Sequence, residues 1–261
     1  MNAQIIILPG DGIGPEVVAV ARRVLNQVAD GWGHDFSFEQ GVIGGAAIDE
    51  CGAPLPEETL QACRQADAVL LGAVGGPAWD DASERPEHGL LALRQGLAVF
   101  ANLRPVRVYP ALVRRSALRP EVLEGVDFMV VRELTSGLYF GRPKCRDLTP
   151  RGRRAVDTLS YDEHEISRVV ELACELASDR RGQVVSIDKA NVLATGQLWR
   201  EVASEVGERY PNVELSHQLV DAAAMRLISQ PRAFDVIVTS NMFGDILTDE
   251  AAALCGSLGM L

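Results

Sequence analysis

Short apolar runs separated by helix-length amphipathic stretches constrain this chain more than any other feature. QIIILP (4–9), AVLLGA (68–73), DFMVVREL (127–134), QVVSIDKA (183–190), VELSHQLV (213–220) and FDVIVTS (234–240) have the length and β-branched content of buried strands. FSFEQ (36–40) is strand-like as well. Helical stretches lie between them. The first opens at Pro15 and places Val17, Val18, Ala21, Val24, Leu25 and Val28 at helical spacing. The others are PEETLQACRQA (56–66), GLLALRQGLA (89–98), DEHEISRVVELACELAS (162–178), GQLWREVASEVGERY (196–210) and DAAAMRLIS (221–229). Such alternation predicts an α/β protein with substantial parallel strand content. Ligands of parallel sheets gather at the C-terminal ends of the strands. That rule points to Asp188, Lys189, Asp221 and the stretch from Ser240 to Asp249.

The 261 residues, 47% of them hydrophobic, suffice for one large domain or two modest ones. A net charge of −11 argues against a general nucleic-acid binder. The five cysteines (Cys51, Cys63, Cys145, Cys174, Cys255) form no C-x-x-C pair, and no signal peptide precedes them, so they read as reduced thiols of a cytoplasmic protein. The four histidines lack the spacing of a zinc site, and no apolar run has the length of a membrane helix.

Several residues carry candidate chemistry. GDGIG (10–14) joins a strand to a helix but has Pro15 where a dinucleotide-binding G-x-G-x-x-G needs its last glycine, so it reads as a tight turn rather than a Rossmann motif. Arg94, Arg104 and Arg132 each end or follow an apolar stretch. Guanidinium grips carboxylates in bidentate fashion, so the three serve a dicarboxylate site or structural ion pairs equally well. Lys189 stands just past a strand, where it is either a base or the partner of Asp188 or another acid. Asp221 opens a helix, as a cap or as a ligand. Asp245 and Asp249 share one face of an otherwise apolar helix, and oxygen-only ligands suit magnesium or manganese. GRPKCRDLTPRGRR (141–154) holds six basic residues and one acid and reads as a solvated loop or protruding hairpin.

GDGIGPE (10–16), GLLALR (89–94), ANLRP (101–105), VVREL (130–134), GLYFG (137–141), DKANVL (188–193), VDAAAM (220–225) and NMFGDILTDEAA (241–252) together resemble the isopropylmalate branch of the isocitrate/isopropylmalate dehydrogenase family. The resemblance implies two α/β domains around a central sheet, not a Rossmann fold. The first domain would hold residues 1–103 and 255–261, the second 104–254 with a dimerisation arm at about 141–160. It implies NAD-dependent oxidative decarboxylation of (2R,3S)-3-isopropylmalate to 4-methyl-2-oxopentanoate in leucine biosynthesis, with Mg²⁺ or Mn²⁺. Arg94, Arg104 and Arg132 would grip the malate carboxylates. Asp245 and Asp249, with Asp221 of a second subunit, would hold the metal, and Asp221 would also border the substrate. Lys189, likewise from the second subunit, would take the hydroxyl proton, and Tyr139 would protonate the enolate carbon. Glu87 and Asn191 would lie near the nicotinamide ribose. The working unit would be a homodimer with shared active sites.

Substrate choice is expected to turn on Leu90 and Leu91. Two leucines enclose an isopropyl group, worth about 1–3 kcal/mol over a smaller substituent. They cannot satisfy a buried third carboxylate, which disfavours isocitrate strongly and malate or tartrate less so. In the family a further stretch, including the loop that binds the adenosine half of NAD, follows the point where GSLGML (256–261) ends this sequence. The expectation is therefore a C-terminally truncated member whose first domain is incomplete and has exposed apolar surface. The alternatives are a tartrate/malate-type dehydrogenase and a non-catalytic subunit that pairs with a full-length relative.

Overall fold

In a computed structural model of the protein, residues 1–79, 84–257 and 259 are described. The chain divides into two units, Met1–Ala98 and Val99–Leu261, a few residues ahead of the boundary expected from sequence. Cys255, expected to return to the first unit, packs in the core of the second.

The first unit contains β1 (Asn2–Gly10), α1 (Gly14–Trp32), β2 (Asp35–Gln40), α2 (Gly45–Cys51), α3 (Glu57–Gln65), β3 (Ala68–Ala73) and α4 (Pro86–Gly96). Its sheet has the order β2-β1-β3 and is wholly parallel. Alternation along β1 sends Ile6 and Leu8 to one face, against Ile43, Cys63 and Leu93. Ile5 and Ile7 are buried on the other. The α1 helix starts with Pro15 in its first turn and stops at Gly33, whose φ of 67° lets its N–H reach the Ala29 carbonyl. Its apolar residues occupy two faces. Val18 and Ala29 are buried, whereas Val17, Val20, Val24, Val28 and Trp32 are exposed.

The glycine string between β1 and α1 is a close crossing. A Cβ on Gly10 would sit 1.9 Å from the Ala73 carbonyl oxygen, and one on Gly14 would sit 2.0 Å from that of Pro9. The anion here belongs to the protein itself. Buried Asp11 accepts hydrogen bonds from the backbone N–H groups of Gly45, Ala46 and Gly75 at 2.7–2.9 Å.

The second unit contains β4 (Ala101–Arg107), α5 (Pro120–Leu123), β5 (Asp127–Glu133), β6 (Cys145–Thr149), β7 (Gly152–Val156), α6 (Glu163–Ser178), β8 (Gln183–Asp188), α7 (Ala194–Glu208), β9 (Glu214–Leu219), α8 (Val220–Ser229), β10 (Val236–Thr239) and α9 (Asn241–Cys255). Its main sheet runs β4-β5-β10-β8-β9, parallel except for edge strand β4. Side chains alternate between two cores. Val131, Val184, Val236 and Val238 pack with Val169, Val170, Trp199 and Val202 of α6 and α7. Val130, Val185, Ile187 and Ile237 pack with Leu123, Leu227, Leu247 and Leu254 of α5, α8 and α9. Both faces of this sheet are covered, which explains why its strands read as continuous apolar runs. The basic segment forms the β6–β7 hairpin, a separate two-stranded sheet with Leu148 and most of its arginines exposed. Arg154 pairs with Asp147 across it.

Candidate active site

Two groups of functional side chains stand at the C-terminal ends of the parallel strands in the second unit, where the fold class places them. The first gathers at β5 and β10, which lie side by side with Arg132 opposite Thr239. On the other side Arg132 faces Asn102 of β4, so Arg104, two residues on, projects from the same face of the β4–β5 pair. Arg104 donates from Nε to Asn102 Oδ1 at 2.8 Å. The Arg132 stem passes under α9, where a Cβ on Gly244 would lie 2.5 Å from its Cγ. A glycine inside a helix weakens it, and here close approach is the reason for it.

Arg132 is 3% exposed, and all three of its guanidinium nitrogens are engaged. Nη1 pairs with Asp245 Oδ1, while Nε and Nη2 both donate to Asn241 Oδ1, at 3.1 and 2.8 Å. Asp245 stands one turn into α9. Its other oxygen accepts from the Tyr139 hydroxyl at 2.7 Å. Tyr139 sits on the short 3₁₀ turn Gly137–Tyr139, with the Arg132 guanidinium 5.9 Å from its ring centroid. Asp249, one helical turn further, is exposed.

Beneath this group lies buried Glu133. It accepts from Thr135 and Ser136, and the Tyr161 hydroxyl donates to it at 3.3 Å. Burial pushes the Glu133 carboxyl up from its ordinary range, against the pull of those hydrogen bonds. Burial, and then Glu133 itself, pushes the Tyr161 phenol up as well.

The second group is Lys189 and Asp221. Asp188, the first acid proposed as a partner for Lys189, is taken by Arg200 through two bonds of 2.8 and 2.9 Å and by the Ala190 N–H. Lys189 instead pairs with Asp221 at 2.5 Å. That hydrogen bond holds the Asp221 carboxyl below the usual aspartate range. Asp221 is not the helix cap, since Leu219 holds that position and Asp221 lies in the first turn of α8. Asn191 is exposed just beyond Lys189.

The first unit carries the remaining candidates on α4. Leu90, Leu91 and Arg94 are half-buried, with Leu93 in the core, and Glu87 is exposed in the first turn against Gly75.

The residues fit a hard divalent cation as part of a donor set. Asp245 and Asp249 offer carboxylate oxygens on successive turns of one helix, open to water. Among the described residues no three His, Cys, Asp or Glu side chains gather as a metal set, so Asp221 does not join the pair within one chain. Sequence reasoning missed Asn241, Asn102 and the Asp188–Arg200 pair. Asn241 opens the NMFGDILTDE stretch, but nothing local shows that its partner is an arginine 109 residues away.

The profile of the isocitrate/isopropylmalate dehydrogenase family matches residues 4–261. The chain is 61% identical to a 3-isopropylmalate dehydrogenase of Anaeromyxobacter dehalogenans, covering all of this chain and 74% of that protein. It is 58% identical to the Bacillus subtilis protein of the same name, over all of this chain and 72% of that one. Among solved structures, an isocitrate dehydrogenase from Methylococcus capsulatus superposes with a TM-score of 0.87 at 32% identity, over 98% of this chain and 72% of that one. A β-decarboxylating dehydrogenase from Thermococcus kodakarensis gives 0.74 at 33%, over 98% and 69%. The buried arginine, its carboxylate and tyrosine partners, and the matching profile lead to one assignment: the chain belongs to the isocitrate/isopropylmalate dehydrogenase family.

Proposed function

We propose that this protein catalyses the oxidative decarboxylation of (2R,3S)-3-isopropylmalate to 4-methyl-2-oxopentanoate, coupled to NAD reduction, a step of leucine biosynthesis. The observation that carries the reading is the Arg132–Asp245–Tyr139 group, a buried cation beside a half-exposed carboxylate and a phenol. The nearby Arg104, and Arg94 of α4, add further carboxylate-binding charge. Leu90 and Leu91 supply the apolar surface for an isopropyl group.

Each residue has a role in this reading. The arginines fix the malate carboxylates and orient the carbon that gives up hydride. Lys189 would accept the hydroxyl proton as carbon 2 is oxidised, the hydride acceptor being what NAD supplies when bound. For this it must be neutral, which requires release from the Asp221 ion pair. The bond to the departing carboxylate then breaks, CO₂ leaves, and its electron pair becomes an enolate. Tyr139 delivers a proton to the enolate carbon. Asp245 and Asp249, with Asp221 from a second subunit, are the residues that would hold Mg²⁺ or Mn²⁺, which supplies stabilisation of negative oxygen when bound. Glu87 and Asn191 would border the nicotinamide ribose of NAD. The partner is a second copy of the chain, with the β6–β7 hairpin as its arm.

The test is NAD reduction by the purified protein with isopropylmalate, malate and isocitrate compared side by side. Isopropylmalate should be the best substrate and isocitrate inert. Leu90→Ser should lower the isopropylmalate-to-malate ratio of kcat/KM by about tenfold, in line with about 1–3 kcal/mol of apolar discrimination. A constant ratio would remove Leu90 from the pocket.

A further inference from the structure

We infer that Asn241 is a positioning residue of the reaction, a neutral clamp that aims Arg132 and the Tyr139 turn at the same point. The inference rests on the dehydrogenase reading above. Asn241 is fully buried and each of its polar groups is used. Oδ1 takes both Nε and Nη2 of Arg132. Nδ2 donates to the Ser136 carbonyl at 3.1 Å. The backbone N–H donates to the Tyr161 hydroxyl at 2.8 Å, and that hydroxyl is held by Glu133. Ser136 directly precedes the Gly137–Tyr139 turn. One side chain therefore ties together the end of β5, the turn that carries Tyr139 and the start of α9, which carries Asp245.

The chemistry of the amide matters as much as its place. The Ser136 carbonyl demands a donor, which fixes the amide with its oxygen toward Arg132, since the reversed amide would set N–H against N–H. The guanidinium is thus gripped along one edge by a neutral acceptor. Asn241 itself withdraws none of its charge, and Nη1 is turned to the Asp245 carboxylate, on the side where the substrate is to be bound. A carboxylate in the same place would set a second anion beside Asp245 on one buried guanidinium, leaving excess negative charge where an anionic substrate must bind. It would also set a second oxygen against the Ser136 carbonyl.

This predicts an unusual order of effects. Asn241→Asp preserves shape, whereas Asn241→Ser leaves a void but stays neutral. If Asn241 served only packing, the serine variant would be the worse of the two. As a neutral clamp, it makes the aspartate variant worse. The measurement is isopropylmalate binding by calorimetry with Mn²⁺ and without NAD, beside thermal melting and the KM values for isopropylmalate and NAD. Asn241→Asp should weaken isopropylmalate binding at least tenfold and raise its KM in proportion, leave the KM for NAD within about twofold, and bind more weakly than Asn241→Ser. The reverse order, or equal losses in both KM values, overturns the proposal. If Asn241→Asp does not fold, Asn241→Ser decides: binding weakened severalfold supports the clamp, and unchanged binding overturns it. Failure of the wild-type protein to bind isopropylmalate, or to reduce NAD with it, refutes the dehydrogenase reading instead.

Discussion

The two charged groups of the second unit stand at the C-terminal ends of strands of one sheet, yet they are built differently. Arg132 is 3% exposed and is tied to Asp245 and Asn241 of α9, and through Asn241 to Ser136 and Tyr161. The Lys189 side chain is 27% exposed and its partner Asp221 64% exposed, and the 2.5 Å contact between them is the main hold on either. A buried cation without full hydrogen bonding is costly, so its surroundings must be over-determined. An exposed pair carries no such demand and is free to exchange partners. The difference separates a binding group, whose value lies in fixed geometry, from a proton-transfer group, which has to change partner and protonation state during turnover.

The sharpest way to break the comparison is to remove the mobile group. Lys189→Ala should reduce kcat by about 10²–10⁴, the range of a lost general base. Mn²⁺ affinity and the melting temperature should hold near wild-type values, because Asp221, the acid paired with Lys189, is exposed. Turnover at the wild-type rate would take Lys189 out of the mechanism.

The next effect falls on the fixed group. Asp245→Asn keeps the shape and retains an oxygen for Arg132 but removes the charge offered to a cation. Titration should show Mn²⁺ binding weakened at least tenfold, about 1.4 kcal/mol. Unchanged Mn²⁺ affinity would return Asp245 to a purely structural partner of Arg132.

The fold was largely legible because buried parallel strands advertise themselves. QVVSID and DFMVVRE are apolar on both faces since both faces are covered by helices. The β4 strand escaped notice because ANLRPVR mixes arginines with Pro105, a pattern that demotes a strand. Its place explains the pattern. It is an edge strand, where a missing N–H is tolerated and charged residues are at home. On α1 the spacing identified the helix but not which apolar face is buried, since Val17, Val20 and Val24 follow the same period as Val18 and Ala21. In the site, the i, i+4 spacing of Asp245 and Asp249 is local and readable. The Arg132–Asn241 bond joins residues 109 apart and depends on β5 lying beside β10, which no short stretch encodes. The acid that pairs with Lys189 was likewise undetermined, because the nearer candidate, Asp188, is claimed by Arg200 from α7.

The smallest effect tests whether the exposed pair matters to folding at all. The Asp221 carboxyl titrates below the usual aspartate range because Lys189 holds its charged form. A carboxyl with a lowered folded-state pKa stabilises the protein above its unfolded-state pKa, and that contribution fades as pH falls through the folded-state value. The pair is exposed to water and screened, so the contribution is small. Asp221→Asn should therefore leave the melting temperature at neutral pH unresolved from wild type. The two curves should also coincide in strong acid, below the usual aspartate range, once the wild-type carboxyl is protonated. A clear loss of stability at neutral pH that vanishes in acid would show that the Lys189–Asp221 pair is part of the folded framework. The contrast between a fixed binding group and a mobile proton-transfer group would then fail.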